Sequence, residues 1–133
     1  MKTIPEEFFD LLEDNTRAFL FLGTIMKNGF PQVTPVWFNM EAGHLTINSA
    51  KGRVKDRNMR RNPLVAVCIQ DPVNTYRYLQ IQGKIIEISE QGADEHIDRL
   101  TRKYTGQEKY PHRQPGEVRV SYKIQIEKVD AHG

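Results

Sequence analysis

The sequence predicts a mainly β domain in which six antiparallel strands form a closed or partly closed barrel, with two or three peripheral helices. Short apolar runs of strand length recur along the chain, and turn-forming Gly, Asn and Pro residues separate them. The short connections favour antiparallel pairing over a parallel βαβ sheet. The length of 133 residues suits one domain covering residues 1–133.

The first helix and the first hairpin have local signals. Thr3 and Glu6 have capping-box spacing, and apolar residues follow at helical intervals. Further along, Asn28-Gly29 is typical of the positive φ angles of a tight turn between two antiparallel strands. Prolines in the second of these strands cannot donate to a ladder, which indicates an edge or irregular strand.

The rest of the chain alternates strands with two further helices. Ser49 is available to cap a short polar helix that Asn62-Pro63 ends. The apolar residues change parity after Gly83, which indicates a β-bulge, and Gly106 closes the last helix. The predicted strands cover residues 18–26, 32–38, 44–48, 64–69, 77–88 and 118–127. The predicted helices cover residues 3–15, 51–61 and 93–104.

The residue composition and the missing motifs exclude several classes of function. Cys68 is the only cysteine, which excludes an intrachain disulfide and a cysteine zinc cluster and favours a reducing, cytoplasmic setting. The four histidines have no metal-ligand spacing, so we expect no metal. No apolar stretch reaches the length of a signal peptide or a membrane span, so we expect no membrane partner. P-loop, Rossmann and Gly-x-Ser-x-Gly motifs are missing from the sequence.

Positive charge is concentrated in residues 51–61, where Asp56 is the only acid, although the net charge of the chain is only +2. A helix start with free N–H groups, with Ser49, Arg53 and Lys55 beside it, is suited to a phosphate. The alternative is a surface helix whose cations are hydrated, and spacing alone does not separate the two. Nucleic-acid binding is disfavoured because the net charge is near zero and no recognised module is present.

Residues 49–63, with Leu64-Val65-Ala66-Val67 after them and residues 29–38 before them, resemble the pyridoxamine 5′-phosphate oxidase-like superfamily. Arg53-Val54-Lys55 and Asn58-Met59-Arg60-Arg61-Asn62-Pro63 are most similar to its branch of small flavin/deazaflavin oxidoreductases that use coenzyme F420. Residues 78–88 and 110–120 also fit that branch. The resemblance implies a six-stranded antiparallel split β-barrel that forms a homodimer, with F420 or FMN at the subunit interface.

The resemblance also implies the site residues. Arg53 and Lys55 match positions that hold the cofactor phosphate, Ser49 is a weaker phosphate ligand, and Asn58 makes a polar or a helix-packing contact. One of Arg60 and Arg61 serves an anionic cofactor tail while the other faces solvent. The strand residues Gln32, Val33, Thr34, Pro35, Val36 and Trp37 line the flavin or deazaflavin ring. Trp37 and Tyr78 either stack on that ring or belong to the core.

The implied activity is hydride transfer between F420 or FMN and a small conjugated substrate. No catalytic residue is assigned, because the cofactor supplies the chemistry and the protein supplies position and electrostatics. The alternative is a non-catalytic FMN- or haem-binding protein on the same barrel. Pyridoxamine phosphate oxidases proper continue into an arginine-containing tail, whereas this sequence ends in Lys128-Val129-Asp130-Ala131-His132-Gly133, so vitamin B6 synthesis is not expected.

Overall fold

A computed structural model describes residues 3–133 of the chain. The strands are β1 (Leu20–Ile25), β2 (Pro31–Val36), β3 (Phe38–Glu41), β4 (His44–Ala50), β5 (Leu64–Gln70), β6 (Tyr78–Ser89) and β7 (Arg119–His132). The helices are a 3-10 helix (Glu6–Leu12), α1 (Val54–Arg61) and α2 (Ala93–Thr105). The mainly β class is therefore confirmed.

The seven strands form one curled sheet in the order β2-β1-β5-β6-β7-β4-β3, and every pair is antiparallel. The edge strands β2 and β3 are consecutive in the chain, with only Trp37 between them. Val36 pairs with Leu20 of β1, whereas Phe38 pairs with Ile47 of β4. The chain thus changes ladder partner at Trp37, and the strand predicted over residues 32–38 becomes two. This break explains seven strands rather than six in a split-barrel architecture.

The concave side of the sheet encloses the core. Alternate residues of β1, β5 and β6 are buried there, as the period-2 pattern predicts. The largest fully buried side chains are Tyr122, Phe38, Leu11, Leu20, Leu22, Leu45, Ile47, Met59, Ile69, Leu79, Ile81 and Leu100. The bulge predicted after Gly83 is confirmed by a register shift between Ile85 and Glu87, which leaves Ile86 of β6 without a paired residue. A second register shift lies just before it, between Gln82 and Gly83. A Cβ on Gly83 would lie 2.6 Å from Ile124 Cγ2, so this position needs glycine.

Three local predictions need correction. The segment predicted as a helix over residues 3–15 contains a 3-10 helix whose N-cap is Pro5, so Thr3 does not cap it. Ser49 lies inside β4 and does not cap α1, whose N-cap residue is Arg53. At the confirmed β1–β2 hairpin, Gly29 has the positive φ angle of 89°, but Asn28 does not.

Residues 3–133 contain neither a helix suited to span a membrane nor a cluster suited to hold a metal. None of their helices has both the length and the apolar character needed to cross a membrane. Their His, Cys, Asp and Glu side chains form no group of three or more that could hold a metal ion.

Candidate functional site

A cavity of about 560 Å³ lies where the β2–β3 junction, the end of β4 and the start of α1 approach α2 and the loop before β7. Its apolar and aromatic lining consists of Phe19, Phe21, Pro35, Val36, Trp37, Ile97 and Leu100. Its polar and basic lining consists of Asn48, Ser49, Arg53, Lys55, Tyr110, His112 and Arg119. The cavity therefore combines surfaces suited to a flat conjugated ring and to an anion.

Stacked aromatic rings hold the apolar part of the cavity in place. The Tyr104 ring of α2 stacks on Trp37 with a centroid distance of 5.2 Å and on Phe19 with a distance of 5.4 Å. The Tyr104 hydroxyl donates to the Ala18 carbonyl oxygen at 2.5 Å, which fixes the ring. Burial raises the pKa of Tyr104, so the hydroxyl stays protonated as a donor. Trp37 thus has a rigid orientation where it lines the cavity.

Three cations meet in the basic part of the cavity. The Arg53 side chain is 52% exposed, and its Nη2 lies 3.9 Å from Glu117 Oε2. Lys55 is half-buried in the first turn of α1, and burial together with the Arg53 and Arg119 charges lowers its pKa. The buried Arg119 donates from Nη1 to Glu117 Oε1 at 2.8 Å. Because Glu117 offsets only part of this positive charge, the site favours an anion.

Asp56 anchors the start of α1 to the barrel. Its buried carboxylate accepts from the Gly52 backbone N–H at 2.8 Å and from the Tyr122 hydroxyl at 2.6 Å. It also accepts from Arg60 Nε at 3.0 Å. Burial alone would raise the pKa of Asp56, but these donors outweigh it and lower the pKa. Asp56 therefore stays ionised and holds the loop and helix turn that present Arg53 to the cavity.

Several buried polar side-chain atoms have no hydrogen-bond partner within the described residues. They are Gln32 Oε1, Thr34 Oγ1, His44 Nδ1 and Ser49 Oγ. Ser49 lines the cavity, and Gln32 and Thr34 lie on β2 opposite the inward-facing Thr24 and Leu22 of β1. An unsatisfied buried polar group costs about 1–3 kcal/mol, so such atoms are typical of a site that a ligand or water completes. Ser49 is the one of these four residues that lines the cavity, where its hydroxyl is suited to an anionic ligand.

The structure brings together half of the sequence-predicted site residues. The cavity lining includes Ser49, Arg53, Lys55, Pro35, Val36 and Trp37. The lining does not include Gln32, Val33, Thr34, Asn58, Arg60 and Tyr78. Val33 is exposed and lines a separate apolar groove on the outer face of the sheet.

Other contacts account for three of the residues outside the cavity. Asn58 is buried and donates to Thr24 Oγ1 at 3.0 Å, which corresponds to the helix-packing alternative. Arg60 pairs with Asp56 rather than reaching the cavity. Tyr78 stacks on His132 with a centroid distance of 4.7 Å, at the far end of β6. Cofactor contact by these residues stays a prediction that the cavity does not support.

Sequence reasoning missed Arg119, which is 6% exposed and lines the cavity. The alternating pattern of the last strand places Arg119 with the polar residues, on the opposite side from Val118 and Val120. The buried Arg119 begins β7 beneath Tyr110, whose ring centroid lies 5.1 Å from the guanidinium carbon. The only available signal was that residues 110–120 fit the same branch of the superfamily.

The fold and this cavity define a class of protein: a split barrel whose cavity has an aromatic wall and a basic lining. The family model for pyridoxamine 5′-phosphate oxidase matches residues 4–133, and the chain belongs to this family. The resemblance inferred from residues 49–63 is therefore confirmed. No curated protein sequence matched the chain.

Solved structures share the architecture. An F420 reductase is 28% identical with a TM-score of 0.83, and the match covers 96% of this chain and 98% of that one. The conserved hypothetical protein Rv2991 from Mycobacterium tuberculosis is 22% identical with a TM-score of 0.73, covering 98% and 85%. HupZ from Group A Streptococcus is 17% identical with a TM-score of 0.69, covering 97% and 94%. At their lower identities the last two show the fold alone, whereas the first supports an F420-related branch.

Proposed function

We propose that the protein binds F420 or FMN in this cavity and transfers a hydride between the cofactor and a small conjugated substrate. The observation that supports this is the meeting of Arg53, Lys55 and the unpartnered Ser49 hydroxyl with the aromatic Trp37 in one 560 Å³ cavity. Membership of the pyridoxamine 5′-phosphate oxidase family supports a flavin or deazaflavin cofactor. Similarity to an F420 reductase supports F420 ahead of FMN as the cofactor.

The residues of the chain supply binding and position. Arg53 offers a planar fork of donors to phosphate oxygens, and Lys55 adds a positive charge within the first turn of α1. The free backbone N–H groups at the start of α1 add further donors. Ser49 Oγ, buried and unpaired, is free to complete the phosphate shell.

The cavity also has the features that a hydride transfer needs. Trp37 and Val36 form a rigid wall against which a ring would lie. The bound cofactor would supply the redox chemistry, while the chain orients the ring and excludes water from it. No side chain needs to act as a covalent catalyst, so the lack of a nucleophile–base pair is compatible with this activity.

We also propose that the protein forms a homodimer with the cofactor at the subunit interface. An apolar groove of about 480 Å³ runs over the outer face of the sheet, and it includes the exposed Val33 and Leu64. A second copy would cover these side chains. Analytical ultracentrifugation of the wild type should give a dimer, and Val33→Arg/Leu64→Arg should give a monomer. A monomeric wild type at micromolar concentration would contradict this arrangement.

Fluorescence titration of the purified chain with F420 and with FMN tests the proposed function. Arg53→Ala/Lys55→Ala should weaken binding by about 100-fold or more, because each charge-assisted hydrogen bond contributes about 1.5–3 kcal/mol. The matched control is Lys51→Ala/Arg57→Ala, which removes two exposed cations of the same segment from outside the cavity. The control should change the Kd less than about threefold, since exposed charges contribute little.

If Arg53→Ala/Lys55→Ala changes the Kd as little as the control does, the hydrated surface helix is supported instead. Turnover distinguishes the enzyme from a non-catalytic carrier. Reduced F420 and reduced FMN are each incubated with a panel of unsaturated substrates, and oxidation of the cofactor is followed by absorbance. Tight binding without turnover on any substrate, or preferential binding of haem, would favour the carrier.

A further inference from the structure

We propose that Arg119 is a third, preoriented anion-binding residue of the cavity, and that the buried His96 is a positioning residue that fixes Arg119 through Asn48. The inference rests on the proposed function, since the anion is the cofactor phosphate. His96 is 2% exposed, lies on α2 and does not line the cavity. Its influence on the anion would therefore be indirect.

Hydrogen bonds on both sides fix the orientation of the Asn48 amide. Its Oδ1 atom accepts from Arg119 Nε at 2.9 Å and from Arg119 Nη2 at 2.7 Å. Its Nδ2 atom donates to the Ala93 carbonyl oxygen at 3.0 Å and lies 3.1 Å from His96 Nδ1. Because Nδ2 is a donor, His96 Nδ1 must accept.

The contact of the other ring nitrogen defines the tautomer of His96. His96 Nε2 lies 2.9 Å from Asn39 Oδ1, and an amide oxygen only accepts. His96 is therefore the neutral Nε2–H tautomer, and burial keeps its pKa at about 4. Asn39 Nδ2 in turn donates to Glu41 Oε2 at 2.6 Å, and Arg99 donates to both Glu41 oxygens at 3.0 Å. The network thus has one direction of donation, from Arg119 to Glu41.

Arg119 retains donors that are available to an anion. Its guanidinium has five N–H groups, of which Asn48 accepts from two and Glu117 accepts from one. Within the described part of the chain the other two have no acceptor, and the side chain borders the cavity. The Tyr110 ring covers the guanidinium at 5.1 Å. An arginine held on several sides loses little further entropy on binding an anion, which makes it an effective ligand.

The test combines NMR of the ligand-free, full-length chain with binding measurements. At pH 7 we expect His96 Nδ1 to have the shift of an unprotonated acceptor and Nε2 to be protonated. We expect the Arg119 Nε–H signal, assigned by its loss in Arg119→Lys, to exchange slowly and to shift on addition of inorganic phosphate. A protonated His96 Nδ1, or an Arg119 Nε–H signal that does not shift on addition of phosphate, would overturn the proposal. This test does not depend on whether the chain binds F420 or FMN.

A double-mutant cycle measures the coupling. His96→Leu should weaken F420 or FMN binding about tenfold and speed exchange of the Arg119 Nε–H. His96→Gln, which can accept from Asn48 and donate to Asn39, should largely restore both. In an Arg119→Ala background, His96→Leu should cause no further loss. A tenfold loss that persists in that background would show a general structural effect and refute the positioning role. If His96→Leu fails to fold, His96→Met, which also lacks the donor and the nitrogen acceptor, takes its place in the cycle, with the same expectations.

Discussion

Acidification from pH 7 to pH 4.5 should reduce the free energy of unfolding by about 2.4 kcal/mol through His96 alone. Burial lowers the pKa of His96 to about 4, and the nearby Arg99 and Arg119 charges add to this, although Glu41 opposes it. In the unfolded chain the imidazole has its ordinary pKa of about 6.5. Over the pH range between these two pKa values, His96 is therefore mostly neutral in the folded state and mostly protonated in the unfolded state.

The sign and the size of the change in the free energy of unfolding follow from these two pKa values. Between pH 6.5 and about 4 the unfolded chain binds more protons at His96 than the folded chain does. Stability contributed by the neutral imidazole is complete above this window and is lost as the pH falls through it. At pH 4.5 the unfolded imidazole is almost fully protonated, and the folded one is only about a quarter protonated, which gives the figure of about 2.4 kcal/mol.

Urea denaturation of the wild type and of His96→Gln at pH 7, 6, 5.5, 5 and 4.5 checks this prediction. Gln does not titrate. Both proteins contain the same carboxylates, so the contribution of these groups cancels when the two free energies of unfolding are subtracted. The stability advantage of the wild type should shrink by about 2 kcal/mol over the range. If the free energies of unfolding of the two proteins change in parallel with pH, His96 is not a buried neutral acceptor in the folded chain.

Three more perturbations test particular contacts. Tyr122→Phe should destabilise the fold by about 2 kcal/mol in urea denaturation, because the ionised Asp56 loses a buried donor. Gly83→Ala should cost about 1–3 kcal/mol in the same assay, because the new Cβ would approach Ile124 Cγ2 to 2.6 Å. The affinity for F420 or FMN should fall at alkaline pH as Lys55, whose pKa is lowered, loses its proton, and Lys55→Arg should flatten that pH profile.

Each of these has a control. Gly23→Ala places its Cβ no closer than 3.4 Å to its nearest neighbour, so it should destabilise less than Gly83→Ala does. Tyr110→Phe removes a hydroxyl from a residue outside the Asp56 network and should leave stability nearly unchanged. Equal destabilisation by Gly83→Ala and Gly23→Ala would contradict the packing argument. Equal destabilisation by Tyr122→Phe and Tyr110→Phe would contradict the hydrogen-bond argument. A pH profile that is the same for wild type and Lys55→Arg would exclude Lys55 as the titrating cation.

The elements themselves were largely predictable from local patterns. The alternating burial of β5 and β6 and the Gly106 cap of α2 follow from periodicity and from the freedom of glycine to adopt a φ of 81°. Trp37 was not predictable as a strand break, because β2 and β3 separate only when they pair with different partners. The 3-10 geometry of the first helix was missed for a similar reason, since tertiary contacts of Arg77 with Asp10 hold that turn.

The sequence by itself determined the antiparallel class, most strand positions and the basic segment that contains Arg53 and Lys55. These depend on side-chain periodicity and turn chemistry, which act between near neighbours in the chain. Only the tertiary structure decided which residues share the cavity. Arg119 meets Asn48 because the β4–β7 register pairs Ser49 with Val120, and His96 reaches Asn48 through the packing of α2. Such contacts join residues far apart in sequence, and no local pattern encodes them.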